Sequence, residues 1–290
     1  MLLALAASQA EATSLRYCDS PPTLSAAQQD KLLRVSGIIR NELERSGTTA
    51  AILARSGLNL RWFDMRYSHA GLSLKRSADT PWAVRQLYFS CDEQAPRLFD
   101  QGLSAFLLGT EDPELGYISI LTLPEAATQR LEPLALDNRH ALSLLAAEYS
   151  ANAHAWSTRY QNCNQWLIEM LGLAWNTGPV ADSTRTTAQQ WLRGQGYEPA
   201  TFSVFWRPFT WLTAFSPYLN TEDHPEDDLW AGRFRVSMPE SIAAFVQRQA
   251  PGAQRIELCH TREHVVLRRG GAPIADGCVP AEGDEVITLD

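Results

Sequence analysis

The segment Lys75-Arg76-Ser77-Ala78-Asp79-Thr80-Pro81 stands between two short runs, Arg66 to Leu74 and Trp82 to Phe89, that are rich in aromatic and β-branched residues. A polar stretch of this kind, closed by proline, reads as a hairpin turn, and a hairpin makes the flanking strands antiparallel neighbours. A turn centred near Ser77-Ala78 sets residues summing to about 155 opposite one another, which pairs His69 with Gln86. Side chains alternate faces along a strand, so a slip of one residue would separate that pair. Ala50 to Leu53 and Tyr117 to Leu123 read as further strands. Helical spacing follows a Ser25 cap through Leu32, Leu33, Val35, Ile38, Ile39 and Leu43, and ends at Gly47. Leu131 to Tyr149 reads as mainly helical despite Pro133. Cys163 to Leu173 is an apolar-periodic helix with Trp166, Leu167, Met170 and Leu171 on its buried stripe. A short helix follows over Thr186 to Arg193. Beyond Pro199 come an aromatic stretch (Phe202, Phe205, Trp206, Phe209, Trp211), an acidic loop, a helix over Pro239 to Gln249 and strands at Ile256 to Leu258 and Val265 to Leu267. The class is α+β with antiparallel pairing.

With 33 acidic and 25 basic residues, a formal charge of −8, the chain lacks the electrostatic footprint of a nucleic-acid or anionic-membrane binder. Lys31 and Lys75 are the only lysines, which argues against lysine-centred chemistry because arginine is too basic to act as a base or Schiff-base nucleophile. No GxSxG elbow, GxxxxGK loop or GxGxxG fingerprint is present, so no nucleotide or dinucleotide cofactor is expected. The opening run Met1 to Ala10 is uncharged and apolar with small residues at its end, the pattern of a signal segment without its basic n-region. No other stretch is long enough to span a membrane. Five cysteines suit an oxidising compartment, where two bridges leave one thiol free; in a reducing one all five would be buried thiols. Cys259 with Cys278, and Cys18 with Cys91, are the expected pairs among fifteen arrangements.

Two segments hold residues capable of chemistry. Tyr67-Ser68-His69 places a histidine at the head of a strand, and Asn162-Cys163-Asn164-Gln165 places a cysteine where an apolar helix begins. Unpaired N–H groups and the helix dipole favour a thiolate there. An imidazole would hold its proton, and a third polar group would fix the tautomer of that imidazole. His69 and Gln86 are the candidates. Asn162, Asn164 and Gln165 offer oxyanion donors or helix caps, and Tyr67 and Ser68 flank the histidine. Taken singly, a cysteine at a helix start and a histidine at a strand head also suit plain structural roles.

The segments YSHAGL, WAVRQLYFSCDE, YQNCNQWLIEML, IELCH and GCVPAEGDEV resemble a bacterial exported family of uncharacterised function, over most of the chain. From His69 to about Leu173 the order of histidine and cysteine is also similar to the circularly permuted branch of NlpC-type, papain-like enzymes. That resemblance implies a papain-like core, expected over 13–198 between the signal-like segment 1–12 and an α/β C-terminal extension, 199–290, packed on the core. It implies Cys163 as nucleophile, His69 as base and Gln86 as orienter, where relatives often carry a glutamate or second histidine. The implied activity is an exported, cofactor-free cysteine hydrolase or acyltransferase that cleaves an amide, ester or thioester. Peptides, peptidoglycan or acyl-lipids of the cell envelope are the implied substrates. The rival expectation is a non-catalytic envelope scaffold that binds through some of the nine tryptophans. Cys259, His260, His264 and Cys278 mix zinc-ligand types without a CxxC pair, so a disulfide with surface histidines is the expectation there. Glu222 to Asp228 lacks EF-hand spacing and reads as a solvated acidic loop.

Overall fold

The computed structural model of the protein describes residues 24–110, 112–178, 184–204 and 218–289. Helix α1 (Ala26–Arg45) starts at a capping box in which the Ser25 hydroxyl accepts from the Gln28 amide and Gln28 returns a bond to Ser25 N–H. Its stripe Leu32, Val35, Ile39 and Leu43 is buried. The other helices are α2 (Leu103–Leu108), α3 (Glu125–Leu136), α4 (Asn138–Ser143), α5 (Cys163–Trp175), α6 (Arg185–Gly194), α7 (Glu226–Trp230) and α8 (Pro239–Gln249). The strands are β1 (Ala50–Arg55), β2 (His69–Leu74), β3 (Ala83–Ser90), β4 (Ala95–Gln101), β5 (Gly116–Thr122), β6 (Glu148–Tyr149), β7 (Tyr160–Gln161), β8 (Ala200–Ser203), β9 (Arg233–Val236), β10 (Gln254–His260), β11 (His264–Arg269) and β12 (Glu285–Thr288).

Eight strands make one antiparallel sheet in the order β12-β11-β10-β5-β1-β2-β3-β4. Alternation splits its side chains into two cores. One face packs Ala51, Leu53, Ile118 and Ile120 on α1 and α2. The other packs Ile52, Ala54, Ala70, Leu72 and Leu121 on α3, α5, α6 and α8. The chain is thus a sheet between two helical layers, and each fully buried Leu, Ile or Phe contributes about 1.5–3 kcal/mol. β10 pairs directly with β5, so the final strands belong to the same sheet as β1–β5.

Several local expectations are corrected. The strand expected from Arg66 begins at His69, because the Glu240 carboxylate takes the N–H groups of Arg66 and Tyr67 and holds them out of the ladder. The hairpin register sums to 157, with Leu72 opposite Arg85 and Leu74 opposite Ala83. Trp82 causes the shift: it is fully buried with φ 66°, and so belongs to the turn. A two-residue shift preserves the face, so His69 and Gln86 remain on one side as diagonal neighbours. The helical stretch 131–149 divides into α3 and α4 at Asp137, whose carboxylate caps α4. Helix α5 is not amphipathic: every residue from Cys163 to Ala174 is buried, Glu169 included. The acidic loop is not wholly solvated, since Asp228 is buried and paired with Arg233 and Arg235. Phe205, Trp206, Phe209 and Trp211 lie outside the described residues, as do the N-terminal apolar run and Cys18.

Cys259 and Cys278 are joined in a disulfide, which removes both thiols from any metal-ligand set. Among the described residues no group of three or more His, Cys, Asp or Glu side chains is placed to hold a metal ion. Cys91 is disulfide-bonded, and Cys163 is free and buried. No helix of the described residues is long and apolar enough to cross a membrane.

Candidate functional site

Strands β2 and β3 pair only from Leu72 to Leu74, whereas β2 stays on β1 back to His69. The sheet therefore splits at its YSHAGL end, between residues 69–71 of β2 and the middle of β3. The first turn of α5 meets this split: Cys163 is the first helical residue, Asn162 is the cap, and the Ala70 amide of β2 favours the charged form of the Cys163 thiol. The gap is bridged on the other face by His69, whose Nε2 meets Oε1 of Gln86. Gln86 Nε2 donates to Gln101 Oε1 at 2.6 Å, which fixes the amide with its oxygen toward the imidazole. In this arrangement His69 donates through Nε2–H, and Nδ1 carries the lone pair. Gly71 makes the approach feasible, since a Cβ there would collide with Val84 and crowd Gln86.

Arg55 completes the site, and sequence reasoning passed over it. It is buried at the end of β1, directly opposite His69, with its guanidinium 5.4 Å from the Phe106 ring. Side chains at Gly57 and Gly109 would both strike it. The legible signal was an arginine ending an apolar strand run, followed by glycine two residues on. His69 packs edge-on to Tyr88 and against Phe106.

The electrostatics run against a preformed thiolate. Burial pushes the Cys163 thiol up to about 11, opposed by the amides of Asn164, Cys163 and Ala70 and by the Arg55 charge. Burial pulls His69 down to about 3; the Arg55 charge adds to this, and the bond to Gln86 opposes it. The helix-start contribution expected from sequence is present, and desolvation outweighs it. The resting pair is a neutral thiol and a neutral imidazole, with a buried cation in range of both.

The remaining expected site residues divide. Asn164 stays near the site: its Nδ2 donates to the Ser68 carbonyl at 3.1 Å, and its Oδ1 is buried without a partner. Ser68 holds the adjoining loop, its hydroxyl accepting from Leu58 N–H. Asn162 serves as cap, its Oδ1 accepting from Gln165 N–H at 2.8 Å. Gln165 turns away and donates to the carbonyls of His154, Ala155 and Ser157 and to Glu169. Tyr67 is on the opposite face, its hydroxyl bonded to Glu257.

Buried neutral histidines also set an acid limit on stability. Burial lowers His69 to about 3, and His154 and His260 each to about 4. Unfolded histidines bind protons near pH 6.5, so below that pH the unfolded state takes up protons that the native state refuses. Stability from this source is complete above about pH 6.5 and is lost as pH falls toward 4, at a limiting slope of about 1.4 kcal/mol per pH unit for each histidine. Urea titrations at pH 7.5 and 5.0 should differ by several kcal/mol. A flat profile would contradict the neutral burial.

No curated protein and no solved structure matches the chain. The family described as an uncharacterized protein conserved in bacteria, DUF2145, matches residues 42–246, a span that holds Arg55, His69, Gln86 and Cys163. The chain belongs to this bacterial family.

Proposed function

We propose that the protein is a cell-envelope cysteine hydrolase or acyltransferase that works through an acyl-enzyme on Cys163. The observation that carries this reading is that Cys163 at the α5 start and His69, whose tautomer Gln86 and Gln101 fix, stand at the two faces of the β2–β3 split with the Arg55 charge in range of both. With Nε2–H engaged, Nδ1 of His69 carries the lone pair, and in this proposal it acts as the base for Cys163 across the β2–β3 split. It takes the thiol proton as sulfur attacks an amide, ester or thioester carbonyl carbon, and returns it to the leaving nitrogen, oxygen or sulfur as the tetrahedral adduct collapses. Water or a second acceptor then cleaves the acyl-enzyme. Because the resting pair is neutral, proton transfer accompanies attack, and Arg55 favours the developing anion over an imidazolium. The Cys259–Cys278 disulfide and the bacterial family support an exported location. Envelope peptides, peptidoglycan or acyl-lipids are the substrate classes that follow from that location and from the residue order shared with permuted NlpC-type enzymes.

Intact-mass measurement after brief exposure to p-nitrophenyl acetate and to acetyl thioesters tests this. An acetyl adduct on Cys163 is expected in the wild type and is absent from Cys163→Ala. An adduct elsewhere only, or none with any of these acyl donors, favours a non-catalytic scaffold.

A further inference from the structure

Helix α6 and the chain segment 156–158 border an open pocket of about 250 Å³, lined by Trp156, Thr158, Thr186, Gln189, Gln190 and Arg193. This is just under the roughly 300–1,000 Å³ of sites for drug-sized ligands, so it suits a single small ring. The wall is fixed from behind by the buried pair of Arg185 and Glu169. The Ser157 carbonyl accepts from Gln165, Gln189 and Arg185, at 3.1, 3.0 and 3.1 Å, and the Thr158 carbonyl accepts from Arg185 at 2.6 Å. Gln189 is only 6% exposed, and its Nε2 donates both to Ser157 and, at 2.7 Å, to Glu169. Both amide hydrogens are thereby engaged and the orientation of the amide is set. Its Oε1 accepts no hydrogen bond from the described residues, yet it is not sealed from solvent, so it opens on the pocket that Gln189 lines. Trp156 is half-buried, held by the Arg193 guanidinium 4.7 Å from its ring centroid and by the Tyr197 ring, edge-on at 5.8 Å. Among the described residues, the Trp156 indole N–H, the Thr158 and Thr186 hydroxyls and the Gln190 amide have no hydrogen-bond partner.

The pocket therefore mixes donors and acceptors beside an aromatic ring, with one cation and no carboxylate in its lining. A bare anion has no hydrogen to give the Gln189 oxygen, and an aliphatic ligand would bury that oxygen unpaired. A sugar hydroxyl donates and accepts at once, and the C–H groups of a sugar ring are apolar enough to pack on an indole. We propose that this pocket binds one pyranose ring, a hydroxyl of which donates to Gln189 Oε1 while others bond to Thr158, Thr186 and Gln190 and the ring C–H groups lie against Trp156. The Arg193 guanidinium stiffens the indole and adds a donor at the rim. This site shares no residue with the one around Cys163 and does not depend on the reaction assigned there.

Isothermal titration of the full chain carrying Cys163→Ala, which forms no acyl-enzyme, keeps the two readings separate. The probes are methyl β-D-glucopyranoside, methyl α-D-mannopyranoside and N-acetyl-D-glucosamine, with cyclohexanol as a ring without the hydroxyl array and sodium acetate as a bare anion. At least one sugar should bind more tightly than both controls. The double variant Thr158→Val with Gln190→Ala removes two exposed polar groups that the fold does not use, and should weaken binding by about 10-fold with an unchanged melting curve. Trp156→Leu, which removes the ring and its N–H, should weaken it by at least as much. The proposal is overturned if no sugar binds up to about 50 mM, if cyclohexanol or acetate binds as tightly as the best sugar, or if the double variant retains wild-type affinity.

Discussion

Arg185→Leu is expected to destabilise the protein by about 3–5 kcal/mol, a large share of the roughly 5–15 kcal/mol that separates a folded domain from its unfolded chain. Arg185 is buried and bidentate on Glu169, with Nε–Oε2 2.8 Å and Nη2–Oε1 3.1 Å. Glu169 is fully buried in the middle of α5 and also accepts from Gln161, Gln165 and Gln189. The guanidinium further binds the carbonyls of Ser157, Thr158 and Tyr160. One ion pair therefore ties α5 to α6 and to the segment that leads into Cys163. Removing the cation strands a carboxylate in the core, which costs far more than the net worth of the pair. The double variant Glu169→Leu with Arg185→Leu should recover much of the loss. Urea melts measure both, and a single-variant cost under about 1 kcal/mol would show that the pair does not organise this region.

Removing His69 or Arg55 should slow acylation of Cys163 by different routes. His69→Ala deletes the proposed base, and a rate fall of about 10²–10⁴-fold is expected. Arg55→Met removes the cation that favours sulfur anion and adduct oxyanion, with an expected fall of about 10²–10³-fold. The pH profile distinguishes them. Without Arg55 the imidazole loses a repelling charge, so the acidic limb should move to higher pH, whereas His69→Ala should abolish that limb. Stopped-flow acylation with circular dichroism as a folding control reads both effects. An unshifted acidic limb in Arg55→Met would remove Arg55 from the site.

Much of the secondary structure was legible because it rests on local rules. The Ser25 capping box, the helix over Pro239–Gln249, the strands at 256–258 and 265–267 and the α5 start at Cys163 all follow from patterns within a few residues. The Cys259–Cys278 pairing was legible because strands and a turn separate the two cysteines closely. His69 and Gln86 met despite the wrong register, because an even slip keeps side chains on one face.

Sequence alone determined which residue types could do chemistry and on which local elements they stand. Tertiary structure decided what those residues face. Trp82 entered the turn because its ring fills a buried position, and Glu240, distant in sequence by more than 170 residues, held Arg66 and Tyr67 out of the strand. Glu169 appears on a buried helix only because Arg185 arrives from α6. Arg55 gained its role from the β1–β2 register, and desolvation by neighbours from several elements reversed the direction expected for the Cys163 thiol. Periodicity and capping act over single turns, whereas burial and charge pairing sum over contacts that are remote in the chain.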